Sequence, residues 1–324
     1  MKNNVLHPNN KDGIYLYEYP VINGIKQYIQ IRGTDRKNPL LLFIHGGPGG
    51  SLAGLCHIIQ AEWEKKFTVV NWDQRNTCKT YYANKEKAAE IAKTGTIEDY
   101  VRDIDDIITY LHTVYEFDKI ILMGFSWGTA IGAEYAKHHP EKLYCYIGVG
   151  QFINYREGVL NVCNKMLGLV LKNTPDEKKI KDIIDKFPLK PVWNKELMGI
   201  MRYYSPLTSK YIAKHAKRVP LGKIVTSPFM NFKEKISTII PNSSMLEKSY
   251  ETMLNYDFRS NLHFEVPTLF IFGDEENICP SEMLKACFED IETPQKRIEI
   301  IPRASHGCFI DQPDIFIKTL CSFV

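Results

Sequence analysis

The chain has 324 residues, 44% hydrophobic and 24% charged, an ordinary globular composition with material for one large α/β domain and a smaller insertion. No apolar run approaches the roughly eighteen residues that cross a bilayer, and the polar start from Met1 to Asp12 offers no secretion signal, so a cytoplasmic protein with no membrane partner is expected. The net charge of +3 singles out no ligand. Residues 151–262 hold 19 Lys and Arg against 10 Asp and Glu, which reads as a solvated helical surface, so nucleic acid is not expected to bind. Eight cysteines, at 56, 78, 145, 163, 279, 287, 308 and 321, show neither paired nor zinc-like spacing; they read as reduced thiols packed as small hydrophobes.

In chain order, Ile14 to Tyr19 and Ile25 to Arg32 are β-rich segments joined through Val21-Ile22-Asn23-Gly24, where Asn-Gly favours a type I′ turn, so an antiparallel hairpin opens the fold. Leu40 to Ile44 is wholly apolar, as in the centre of a parallel sheet, and runs into His45-Gly46-Gly47-Pro48-Gly49-Gly50, where the backbone can approach an anion closely. Phe67 to Trp72 is the next strand and ends in Asp73-Gln74-Arg75-Asn76; the Lys-rich stretch from Lys79 to Lys93 reads as a surface excursion. Thr96-Ile97-Glu98-Asp99 resembles a capping box, and helical apolar spacing follows it to Tyr115.

The strand Ile120 to Met123 then meets Gly124-Phe125-Ser126-Trp127-Gly128, which opens a helix that stops before Pro140. Glycines two residues either side of a serine leave room for a sharp strand-to-helix turn that thrusts the hydroxyl into a cleft, the nucleophile-elbow pattern. Another strand runs from Leu143 to Val149, completing strand, helix alternation of a doubly wound sheet.

After Gly150 the rhythm becomes helical. Thr174-Pro175-Asp176-Glu177 places an N-cap, an N1 proline and an N3 glutamate ahead of Ile180, Ile183 and Ile184; Val159 to Leu171 and Ser244 to Tyr256 also read as helices. Residues 151–262 are therefore expected to be a helical cap inserted in a core made of 1–150 and 263–324. Alternation resumes with a strand at Val266 to Phe272, a helix from Ser281, a strand at Arg297 to Ile301 and a last helix to Val324.

A serine hydroxyl needs a base and an acid that orients the base, and in the elbow architecture the chain order is serine, acid, histidine. His306 is the one histidine beyond the acid candidates. Among Asp274, Glu275 and Glu276, Glu276 is preferred, because it lies far enough past the strand end to curl towards His306, and Asp274 is the alternative. An oxyanion would be held by the N–H of Trp127 at the elbow-helix N-terminus and by that of Gly47, or of Gly46, in the glycine loop.

Taken together, the glycine loop, Trp72-Asp73-Gln74-Arg75, Gly-Phe-Ser-Trp-Gly-Thr, a cap, the acid after Gly273 and the late histidine resemble the prolyl iminopeptidase family of α/β-hydrolases. The resemblance implies an α/β-hydrolase fold and a cofactor-free, metal-free serine hydrolase with Ser126, Glu276 and His306 as its triad. It also implies a cap that closes over the cleft and selects substrates with a free N-terminal residue, so the expected substrate is a small peptide, with a small-molecule ester or amide as the alternative. This chain departs from the family at Asn76 and Cys78, in having Glu276 for the usual aspartate, and in Met201-Arg202-Tyr203-Tyr204, which has the aromatic pair without the glutamate that precedes it to bind the substrate amine; Glu196 is the nearest.

Overall fold

The computed structural model describes residue 8 and residues 11–188, 194–239 and 243–324. Its ten strands are β1 Ile14–Glu18, β2 Val21–Ile22, β3 Ile25–Lys26, β4 Tyr28–Gly33, β5 Leu40–Ile44, β6 Thr68–Asp73, β7 Ile120–Phe125, β8 Leu143–Val149, β9 Thr268–Gly273 and β10 Lys296–Ile301. Eight form one sheet in the order β1-β4-β6-β5-β7-β8-β9-β10. The six from β6 to β10 are mutually parallel, while β4 is antiparallel to β6 and to β1. Every residue of β5, β6 and β9 is buried, because helices cover both faces.

The expected antiparallel pairing of the two opening segments is present, as β1 with β4, but the turn between them is built differently. Asn23 and Gly24 do turn the chain with φ of 48° and 77°, but the ladder they close is only β2 with β3. The sheet strand is β4, which starts after Gln27 and pairs with β1 from Ile29 opposite Glu18. Gln27 breaks the run because its side chain is committed to the interior, where it accepts a bond from Trp72 Nε1 at 2.6 Å.

The stretch from Lys79 to Lys93 is likewise not all surface. Cys78–Ala83 is a helix with Lys79 and Thr80 buried; Lys79 Nζ pairs with Glu234 at 2.5 Å, and Thr80 Oγ1 donates to the Asp73 carbonyl. Thr96 and Asp99 make both bonds of a capping box at the head of the helix Ile97–Tyr115. That helix and the elbow helix Trp127–His138 pack against each other.

Between β8 and β9 the described chain is helical. Thr174 caps Pro175–Lys186 through a bond from the Glu177 N–H, as its sequence predicts. The first helix of the segment is Tyr155–Leu167, four residues earlier at each end than expected, because Asn154 supplies the N-cap. The last is Glu247–Asn255, preceded by a 3-10 turn at Ser243–Met245. The final helix is split at Gln312, so that Cys308–Asp311 and Pro313–Cys321 follow each other, the proline standing at the first turn of the second. Among the described residues no helix is long and apolar enough to cross a membrane.

Candidate active site

Ser126 stands between β7 and the helix Trp127–His138 with φ 53° and ψ −124°, a conformation that non-glycine residues rarely hold. The turn is pinned from both sides: the Ser126 N–H donates to Val149 O at 2.9 Å, and the Thr129 N–H and hydroxyl both donate to Ser126 O. The two flanking glycines are required by close packing. A Cβ on Gly124 would lie 2.5 Å from Gly128 O, and one on Gly128 would lie 2.2 Å from Ile44 O. Trp127 is fully buried with its indole edge-on to Tyr100, which leaves its backbone at the first position of a 12-residue helix.

The three acidic residues after β9 go three ways. Asp274 is exposed and accepts the Ala304 N–H; Glu275 accepts from His215 N and Nδ1 at 2.7 and 2.5 Å; Glu276 is buried and turned to His306. Glu276 Oε1 lies 2.8 Å from His306 Nδ1 and also accepts the N–H groups of Asn277, Ile278 and Cys279 at 3.0, 2.9 and 3.0 Å. Of the three acids Glu276 is the one bonded to His306, and a carboxylate anchored by three backbone donors has one rotamer to offer the imidazole. On the other side, the ring of Phe125 lies 4.8 Å from that of His306.

His306 Nε2 is buried and has no hydrogen-bond partner among the described residues. It lines a cavity of about 390 Å³ together with Ser126, Gly46, Gly47 and Gly50. The thiol of Cys279 is buried beside the Glu276 carboxylate, and its pKa is pushed well up by burial and further by the charge of Glu276. The remaining wall is apolar and aromatic, from Phe152, Tyr155, Val159, Tyr204, Tyr250 and Met253. Glu196 is exposed and outside this lining. Four larger cavities, of about 490, 750, 480 and 440 Å³, lie elsewhere among the described residues, the first against β1 and β4 and the second beside the starts of β5 and β8. Parallel α/β sheets bind ligands beyond the carboxyl ends of their strands, which is where Ser126, Gly47, Glu276 and His306 stand.

Several supporting residues had no role assigned to them from sequence. His45 is fully buried and its pKa is lowered to about 4 by burial. It is therefore neutral: Nε2 accepts the Gln74 N–H and Nδ1 donates to Gly46 O, while the Gln74 amide donates to His45 O at 2.8 Å. The Trp-Asp-Gln-Arg motif thereby holds the glycine loop in place. Its aspartate accepts from Ser51 Oγ and from the Lys79 N–H, and its arginine makes a two-pronged bond to Asp103 at 2.7 and 2.8 Å. Asn76 keeps the turn after it, with φ 55° and side-chain bonds to Ala88 O and Met245 O. Gly150, just past β8, has φ 59° and lies so close to the imidazole that a Cβ there would be 2.8 Å from His306 Cε1. Only its position directly after a strand could have marked it.

A strained serine at the carboxyl end of a parallel strand, sharing a cavity with a histidine that is bonded to a buried carboxylate, has the form of a nucleophile-elbow hydrolase site. Comparison with known proteins agrees. The family model described as the alpha/beta hydrolase fold matches residues 39–313, and the chain belongs to that family. It is similar to the probable aminopeptidase YbaC of Bacillus subtilis, with 28% identity over 319 residues and 96% of each chain covered. It is also similar to the proline iminopeptidase of Saccharolobus solfataricus, at 22% identity with 94% of this chain and 91% of that one covered. Among solved structures, the proline iminopeptidase of Mycobacterium smegmatis matches with TM-score 0.66 and 16% identity over 95% of this chain and 97% of the other. An esterase from Exiguobacterium antarcticum matches with TM-score 0.59 and 19% identity over 96% and 99%.

Proposed function

We propose that this chain is a serine hydrolase that releases the N-terminal residue of small peptides, an aminopeptidase of prolyl iminopeptidase type, through an acyl-enzyme on Ser126. The observation that carries the chemistry is the meeting of the strained Ser126 turn, the unpartnered His306 Nε2 and the His306–Glu276 bond of 2.8 Å at one cavity. The names of the similar proteins support the peptidase part of the reading. Ser126 is the nucleophile and His306 Nε2 its base. The hydroxyl attacks the scissile carbonyl as His306 takes its proton, and Glu276 keeps Nδ1–H pointed and balances the imidazolium charge. The N–H groups of Trp127 and Gly47 receive the developing oxyanion, the first helped by the helix dipole. His306 next protonates the leaving amine, and a water activated by the same imidazole cleaves the acyl-enzyme. In this reading residues 151–262 are a cap set into a core of 1–150 and 263–324, and Tyr155, Tyr204 and Tyr250 are its contribution to the acyl pocket.

A second reading, a carboxylesterase or amidase for a small metabolite, draws on the apolar cavity wall, which has no carboxylate for a substrate amine. One panel separates the two. Purified protein and Ser126→Ala are offered aminoacyl anilides with free and blocked amino termini, prolyl anilide among them, and short-chain aryl esters. Cleavage confined to free amines supports the aminopeptidase, and ester preference indifferent to the amine supports the esterase. Absence of both turnover and organophosphate labelling at Ser126 refutes the serine-hydrolase chemistry itself.

A further inference from the structure

Away from the cavity, two neighbouring helices expose apolar side chains that a solvated surface has no use for. In Phe232–Ile239, Phe232, Ile236 and Ile239 are 78%, 45% and 47% exposed at positions i, i+4 and i+7, which puts them on one stripe. The helix Leu221–Val225 touches it and exposes Leu221 and Val225 by 60% and 53%. The inward face of the longer helix is occupied instead by Glu234, buried in its ion pair with Lys79.

The free charge along the segment that carries this ridge is of one sign. From Lys214 to Ile239 the chain carries Lys214, Lys217, Arg218, Lys223, Lys233 and Lys235 against the single acid Glu234, whose charge is already neutralised inside. An apolar stripe flanked by lysines matches the chemistry of an anionic lipid surface, where the stripe enters the acyl boundary and the ammonium groups stay among the headgroups. A second copy of the chain fits poorly, because a two-fold contact through these helices would set their cations against each other with no free acid in the segment to meet them.

We propose that the face formed by Leu221–Val225 and Phe232–Ile239 docks the protein onto anionic phospholipid bilayers. The protein lies on the surface, and no described helix crosses it. This inference is independent of what the Ser126 site hydrolyses.

The test is co-sedimentation of the full chain with phosphatidylcholine vesicles, with and without about one third phosphatidylserine. Binding is expected only to the anionic vesicles and is lost in 1 M salt, where the screening length is about 3 Å. With each cation near the surface contributing about fivefold, Lys233→Gln with Lys235→Gln should lower partitioning about 25-fold. Phe232→Ser with Ile236→Ser should lower it by at least about tenfold through lost apolar burial. Both double variants should keep the wild-type circular dichroism and the wild-type rate on a soluble ester or anilide. The proposal is overturned if wild type ignores anionic vesicles, or if folded double variants bind as wild type does. It is equally overturned if sedimentation velocity finds a dimer that Phe232→Ser with Ile236→Ser converts to monomer, since the face then belongs to a second copy.

Discussion

Replacing Gly150 by alanine separates two costs that the structure assigns to one position. With φ at 59°, any L side chain there carries a left-handed backbone penalty of about 1–2 kcal/mol. The added methyl would also sit 2.8 Å from His306 Cε1, 2.9 Å from Nδ1 and 3.4 Å from Glu276 Oε2. Since carbon atoms settle near 3.5 Å or more, the imidazole must retreat by roughly 0.7 Å. It cannot do so freely, for Nδ1 is bonded to Glu276 and the ring lies against Phe125. A misplacement of about 1 Å costs on the order of 100-fold in rate, so kcat/KM for Gly150→Ala should fall between about tenfold and 100-fold.

Gly24→Ala is the matched control. Its φ is 77°, and nothing lies within 4 Å of the position a Cβ would take. Both variants should lose about 1–2 kcal/mol in urea unfolding, and only Gly150→Ala should lose activity when assayed well below its unfolding midpoint. Equal activities for the two folded variants would refute the argument that Gly150 exists to let His306 in.

Glu276→Gln should lower kcat by about 10⁴-fold, because an amide can neither fix the imidazole tautomer nor balance its charge, whereas Asp274→Asn, whose oxygen can still accept the Ala304 N–H, should leave steady-state rates unchanged. Asn76→Gly, which removes the donors to Ala88 O and Met245 O, should cost about 1–2 kcal/mol in denaturant unfolding without changing kcat. The pH dependence of stability offers a further check. Burial lowers His45 from 6.5 to about 4, so its contribution is complete above pH 6.5 and is lost as pH falls towards 4. Burial raises Asp73 from 3.8 to about 6, so its contribution is present below 3.8 and is lost as pH rises through 6. Each amounts to about 3 kcal/mol, and between pH 4 and 6 the two slopes oppose each other. Asp73→Asn should therefore uncover a stability that rises with pH by about 3 kcal/mol from pH 4 to 6.5; a flat profile in that variant would show that His45 is not the group responsible.

Much of this protein was legible in its residue order because the signals are local. A continuous apolar run marks a buried parallel strand, and Gly124-x-Ser126-x-Gly128 marks an elbow, since its geometry is set within five residues by contacts a Cβ would block. Chain order then singled out His306, and the space needed to curl back pointed to Glu276. What could not be read were consequences of distant segments meeting. Lys79 is buried because Glu234, 155 residues later, neutralises it. The hairpin at Asn23-Gly24 stays short because Gln27 is drawn inward by Trp72.

The same division runs through the site. The sequence by itself marked the hydroxyl on the turn, the one histidine and the cluster of three acids that follow it in order, and a glycine loop at the end of β5, because each is set by residue order or by backbone conformation within a few residues. Tertiary structure alone decided that the three acids after β9 face three different partners, that Gly150 must make room for the imidazole, and that His45 and Gln74 brace the loop. It also decided that the wall beside Ser126 is built from apolar and aromatic side chains drawn largely from residues 152–253 and, among the described residues, carries no carboxylate for a substrate amine. Those outcomes rest on which surfaces of separate segments pack together, and no pattern along one segment encodes that.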